Sequence, residues 1–431
     1  MSIVINFSPS LQTLLAGSHE GIFQRDSLGS KLEEFEKTVH NEKIGFFRLP
    51  QEGNHLTECY EVYKQFQDRT HFVQVGIGGS SLGPEMLLHA LQPRQNKTQF
   101  TFINNIDPDM LQLQLDSITN LEKTIFYFVS KSGGTAETMA ALSIIIHFLQ
   151  DRGVSESEFC KYFVFATDPH KGDLRKLADR WRVATLPVPS NVGGRYSVLT
   201  PVGLFSAIFA GIDVGRLLRG AEEIIPRLLN KKLEENDFLK MAGALFWLLQ
   251  KNHITQTVLM PYSSRFKDFS AWFIQLWAES LGKKLSRGGE VVHAGLTPIM
   301  SYGATDQHSQ MQLFVEGPKD KCILFIEVDN FLTDFSLQNN CHVPSLQKLS
   351  PYTLGKLMKA ELCGTLKALD EAERPYINIK IDYNNEEHLG GLILLLESLT
   401  VLMGSYLNVD PFDQPGVEAG KIYAFEWLER S

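Results

Sequence analysis

The chain has 431 residues, of which 43% are hydrophobic and 21% charged, and a formal net charge of −9. That length exceeds what one hydrophobic core serves and implies two or three domains. The acidic balance argues against a general nucleic-acid binder, which needs a basic face.

The first residues, MSIVINFSPSLQTLL, have neither a basic n-region nor a long apolar core. No signal peptide is expected, and the protein is placed in the cytoplasm. The five scattered cysteines include no C-x-x-C pair, so they support a reducing compartment rather than a disulfide framework or a zinc site. Strand-like runs follow at HFVQVGI, QFTFINNI, TIFYFVS and KYFVFAT, with helical stretches such as EMLLHALQ and ETMAALSIIIHFLQ between them. Alternating strands and helices imply a parallel, doubly wound sheet. After LTPVGLFSAIFAGI the chain turns charged at PRLLNKKLEEND, which marks a soft boundary. A second round then begins with AGALFWLLQKNH, TVLMPY, a long helix, CILFIEV and YINIKID. The reading is an α/β protein in three parts: an N-terminal helical segment over residues 1–60, a first domain over 61–215 and a second over 216–431. The apolar stretch LGGLILLLESLTVLMGSYL is broken by Glu397 and by glycines, and reads as a buried helix, not a membrane span.

Six stretches could carry chemistry. In VGIGGSSLGPEML, Gly76, Gly78 and Gly79 allow close backbone approach to a ligand, and Ser80 and Ser81 add hydroxyls. A dinucleotide fingerprint would need glycine where Ser81 stands, which favours a compact phosphate. In SKSGGTAET, Ser130, Lys131, Ser132 and Thr135 precede a helix start, a composition suited to a phosphate cradle or to an ordinary N-cap. In NVGGRYSVLTPVG, Gly193 and Gly194 let Arg195 approach a ligand and stabilise developing negative charge. The helix in FKDFSAWFIQLWAESLGKK carries Glu279 at the edge of an aromatic stripe, with Gln275 one turn before it. Partial withdrawal from water makes such a carboxylate a better base, although a polar border residue is the commoner role. GATDQHSQMQLF contains His308, without any companion at metal-ligand spacing. DPFDQPGVEAGK contains Gln414 and ends in Lys421, without Walker spacing.

Taken in order from Val75 to Lys421, GIGGSSLGP, GGRYSVLTPVGL, QLWAESLGK, DQHSQMQ and FDQPGVEAGK resemble the phosphoglucose isomerase family, in its shorter bacterial form. One departure is Gly134, where a threonine is common in the family. The resemblance implies two doubly wound α/β/α sugar-isomerase (SIS-type) domains with parallel sheets, and a homodimer with a shared active site. It implies reversible isomerisation of glucose 6-phosphate to fructose 6-phosphate through a cis-enediol, with no cofactor or metal, no nucleic-acid partner and no membrane. Gly79, Ser80, Ser130, Lys131, Ser132, Thr135 and Gly194 would bind substrate, with Gln275 and Gln414 nearby. Glu279 would be the base and Arg195 the stabiliser of the enediolate. His308, from the neighbouring subunit, and Lys421 would assist ring opening. An isomerase of amino or mannose sugars is the enzymatic alternative, and a non-catalytic sugar-phosphate sensor the other. The joint presence of Glu279, Arg195, His308 and Lys421 favours catalysis.

Overall fold

Runs too short for helices and rich in β-branched and aromatic residues become the strands of two mainly parallel sheets. In the computed structural model, which describes residues 2–16 and 25–430, these strands and the helices between them follow the chain in β–α order. After β1 (Ile3–Phe7) come β2 (His71–Val75), β3 (Gln99–Ile103), β4 (Thr124–Val129), β5 (Phe163–Thr167) and β6 (Ala184–Pro187). The last five form one sheet in the order β3-β2-β4-β5-β6, and every neighbouring pair is parallel. Every residue of β2, β4 and β5 is buried, as expected of strands covered on both faces.

The later strands are β7 (Gln256–Pro261), β8 (Lys283–Leu285), β9 (Val291–Ala294), β10 (Thr297–Met300), β11 (Lys321–Asn330) and β12 (Tyr376–Tyr383). The second sheet runs β10-β7-β11-β12-β1, while β8 and β9 pair apart as an antiparallel hairpin. The two sheets share one plan. In each, the first parallel strand (β2 or β7) lies second in the sheet. The next strand to join that sheet (β3 or β10) takes its outer side, and the later parallel strands take the other. The fifth strand differs: β6 is parallel to its neighbour, but β1 arrives from the N-terminus and pairs antiparallel with β12.

That pairing corrects the expectation of a helical segment over residues 1–60, which begins instead with a strand. Ile3 stands opposite Ile381 and Ile5 opposite Ile379, both isoleucines are buried, and Val4 between them faces outward. The period-two alternation of IVINF holds the strand in register with its inner face on the core. Helices Pro9–Ala16, Arg25–Val39 and Asn54–Phe66 make up much of the remainder, and residues 17–24 lie outside the described residues. The apolar stretch containing Glu397 forms helix Glu386–Tyr406, buried at every position from His388 to Tyr406. Helix Leu82–Leu91, which follows β2, packs on helix Lys267–Leu281, which follows β7, and this contact joins the two halves of the chain.

Candidate active site

The site begins where parallel strands end. Because β2 and β4 are adjacent and parallel, the loops after them emerge side by side at the carboxyl edge of the first sheet. After β4 the Ser130 hydroxyl lies 2.8 Å from that of Thr135, and the Ser132 hydroxyl lies 3.4 Å from both. Gly133 permits this convergence. Its φ is +70°, and a Cβ there would stand 3.0 Å from the Thr167 hydroxyl and 3.1 Å from the Gly172 Cα. Thr135 holds the N-cap position of helix Ala136–Gln150, but its side chain makes no cap bond. The ordinary N-cap role is therefore not what this hydroxyl does, and the positive helix end stays open to an anion.

Lys131 is placed differently from its loop neighbours. Its ammonium donates to the carbonyls of Ser190 and Val192, both at 2.8 Å, and burial lowers its pKa. It ties the hydroxyl loop to the segment leading into Gly193–Arg195. The loop after β2 meets the same segment at backbone contact distance: a Cβ on Gly79 would fall 2.2 Å from the Gly194 carbonyl oxygen, so only glycine fits. A Cβ on neighbouring Gly78 would lie 2.9 Å from Gln275 Nε2.

Arg195 is only 2% exposed and bridges three parts of the chain. Its Nε donates to the Ser280 hydroxyl at 2.7 Å and its Nη1 to Gln414 Oε1 at 2.8 Å. Its Nη2 donates to the carbonyls of Pro411 at 2.6 Å and Asp413 at 2.9 Å. The same Nη1 stands 3.4 Å from Glu279 Oε2, which also accepts from Gln275 Nε2 at 3.3 Å. The guanidinium is thus fixed in plane and orientation by neutral acceptors, and its carboxylate neighbour Glu279 is partly open to solvent. Tyr196 packs behind it, with its hydroxyl 3.1 Å from Ser280 Oγ and its pKa pushed up to about 12 by burial.

The expected residues thus include a joined set, the hydroxyl loop Ser130–Thr135 and two outliers. Glu279, Gln275, Arg195 and Gln414 meet directly, with Gly79 and Gly194 pressed together beside them. His308 sits in the exposed turn Thr305–His308, beyond β10 at the sheet edge. Lys421 lies on helix Glu418–Arg430, where its ammonium pairs with Glu418 at 2.8 Å. Asp107, at dinucleotide-like distance from the first loop, caps helix Pro108–Asp116 by accepting from the backbone of Asp109 and Met110. Among the described residues, no cluster of three or more His, Cys, Asp and Glu side chains could hold a metal.

The sequence from residue 61 to 430 matches the phosphoglucose isomerase family. The chain belongs to that family. A glucose-6-phosphate isomerase from Rubrobacter xylanophilus is 38% identical, over 94% of this chain and 94% of that protein. One from Carboxydothermus hydrogenoformans is 36% identical, over 98% of this chain and 93% of that protein. Among solved structures, a hypothetical protein from Thermus thermophilus superposes with a TM-score of 0.89 at 32% identity, covering 99% of this chain and 100% of that one. A glucose-6-phosphate isomerase from Chlamydia trachomatis shares the fold with a TM-score of 0.83 at 23% identity, covering 99% and 88% of the two chains.

Lys283, the last residue of QLWAESLGK, is not among the residues expected at the site. This side chain is nearly buried, and its ammonium donates to the carbonyls of Glu279 at 2.7 Å and Ser280 at 2.9 Å. It closes the last turn of the helix that bears Glu279 and faces Asp413 at 3.5 Å. Burial, with the nearby charge of Arg195, lowers its pKa. The local signal was present: a lysine two residues beyond the helix end is placed to satisfy its last carbonyls.

Proposed function

We infer that the protein interconverts glucose 6-phosphate and fructose 6-phosphate, the aldose–ketose step of glycolysis and gluconeogenesis. The observation that carries this reading is the pair of Glu279 and Arg195, a carboxylate and a buried guanidinium 3.4 Å apart. The pair is linked through Gly79, Gly194 and Lys131 to a loop of convergent hydroxyls. The Ser130, Ser132 and Thr135 hydroxyls, with the backbone after β2, hold the phosphate and so orient the carbons remote from it.

Glu279 takes the proton from C2 of the open-chain aldose, and the electron pair forms a C1–C2 double bond as charge moves onto O1. Arg195 stabilises that charge. O1 gains a proton as O2 loses one, C2 becomes the carbonyl, and Glu279 returns its proton to C1. Substrate and product are isomers, so the balance requires no external oxidant or reductant. His308 from a second subunit and Lys421 assist opening of the ring. The homodimer this requires is supported by helix Glu418–Arg430, whose Ile422, Tyr423, Phe425 and Trp427 are all exposed in one chain. Five free thiols suit a reducing cytoplasm.

The test is a coupled assay of purified protein with fructose 6-phosphate, without metal or nicotinamide in the isomerase step. Steady formation of glucose 6-phosphate is expected. Conversion only of an amino or mannose sugar phosphate, or none, overturns the reading.

A further inference from the structure

A cavity of about 840 Å³ opens at the carboxyl edge of the second sheet, far along the chain from the hydroxyl loop. Its walls are the loops after β7 (Ser263, Ser264, Arg265), β11 (Phe331 to Thr333) and β12 (Asn384 to Glu386), closed by Ala90 to Gln95 at and after the end of helix Leu82–Leu91. Its position repeats the candidate active site with the halves exchanged. There, the loop after β2 reaches the helix that follows β7 at Gln275, one turn before Glu279. Here, the loops after β7 and β11 face the end of the helix that follows β2. Open parallel sheets bind ligands at this edge, and the volume lies in the range of small-molecule sites.

The charge in the cavity is positive and incompletely used. Arg216 is balanced by Glu387 at 3.2 Å and Glu386 at 3.5 Å. Arg265 is held by the carbonyls of His89 at 3.2 Å and Gln92 at 2.9 Å, through its Nε and Nη2, and meets no carboxylate among the described residues. Arg94 is exposed and makes no hydrogen bond or ion pair among the described residues. The two guanidiniums are close enough that the charge of Arg94, after burial, depresses the pKa of Arg265. Two uncompensated like charges facing one cavity cost electrostatic energy that a bound anion removes. Ser263 is only 6% exposed, and its side chain makes no cap bond to the turn it precedes.

We propose that this cavity is a second anion site, in which Arg94 and Arg265, with the Ser263 hydroxyl, bind the phosphate of a phosphorylated small molecule. It is a binding site and not a second catalytic one, because the acidic residue among its described lining, Glu386, is paired with Arg216 at 3.5 Å. Its ligand is positioned to act on catalysis. The cavity wall includes the turn that leads into the helix bearing Glu279 and the end of the helix that begins at the Ser80 loop. The argument from repeated position rests on the Ser130 loop as the phosphate handle, so the test separates the two.

Equilibrium dialysis with radiolabelled inorganic phosphate is performed on the native chain, Arg94→Glu, and the double variant Ser130→Ala, Thr135→Ala. The native chain is expected to bind two phosphates, and Arg94→Glu one, with at least about tenfold weaker binding at the lost site and unchanged kcat and KM. Unchanged kinetics show that Arg94→Glu is folded. Phosphate binding by Arg94→Glu equal to that of the native chain overturns the proposal. If Arg94→Glu loses a phosphate while the double variant binds as much as the native chain, the handle reading fails and the cavity site stands. Tungstate soaked into crystals should lie among Arg94, Arg265 and Ser263. Tungstate in the Ser130 loop but not there also overturns the proposal.

Discussion

Oε2 of Glu279 and Nη1 of Arg195 lie 3.4 Å apart, although one sits in the last turn of a helix of the second half and the other follows a glycine turn of the first. The carboxylate can move between two carbons only if it is held but not bound, and its polar partners, Gln275 and Arg195, stand at 3.3 and 3.4 Å. Both separations are longer than a strong charge-assisted bond.

Glu279→Gln keeps the volume and removes the base. Turnover should fall by at least about 10²-fold, with proton exchange at C2 falling in step, while glucose 6-phosphate binding changes little. Near-normal exchange in a folded variant would assign the base to another residue.

Arg195→Lys tests the fork geometry. A single ammonium cannot serve Ser280, Gln414 and the carbonyls of Pro411 and Asp413 together. Each buried acceptor left unpaired costs about 1–3 kcal/mol, so a loss of roughly 2–4 kcal/mol in denaturant unfolding is expected. Turnover should drop by about 10²–10³ with a smaller change in KM. A stable variant with native turnover would remove Arg195 from both roles.

How much of this was legible follows the range of the interactions. The apolar runs of β2, β4 and β5 show plainly because both faces are buried. The Gln275–Glu279 pair shows because four residues is one helical turn. The strand β1 escapes a local reading because its strand partner among the described residues is β12, at the other end of the chain. Strand β10 contains Pro298, which a local reading demotes and an edge position tolerates. Likewise, no local pattern announces that Arg195 is held by a carbonyl 216 residues later. The hydroxyl loop reads as a cradle or a cap, and the structure bears on both: Ser130 and Ser132 accept from the backbone N–H groups of Gly133 and Gly134, while the Thr135 side chain makes no cap bond.

The contact between helices Leu82–Leu91 and Lys267–Leu281 has a pH-dependent part. The ring of His89, in the last turn of the first, bonds the Asp268 carboxylate in the first turn of the second, and this raises the histidine pKa above its usual 6.5. A raised folded-state pKa gives stabilisation that is complete below the unfolded value and is lost as pH rises through the folded one. The stability gap between the native chain and His89→Ala should therefore be largest below pH 6.5 and shrink as pH rises above it. Because His89 is more than half exposed, the gap is modest and salt should narrow it. Denaturant titrations on both sides of that value measure it, and a gap that grows with pH would contradict the assignment.

His308 is the expected site residue whose role depends on the proposed homodimer. His308 is exposed on a turn outside the Glu279–Arg195 set, and nothing local places it with Glu279 in one chain's site. If it serves ring opening in the partner's site, His308→Ala should slow reaction of cyclic substrate more than proton exchange on an open-chain analogue. Mixing His308→Ala subunits with Glu279→Gln subunits then gives heterodimers with one site holding both native residues and one holding neither. Dissociation, mixing and reassociation of the two variants should restore activity toward half of native per heterodimer. Heterodimers that form and stay inactive would mean that each site takes both residues from a single chain.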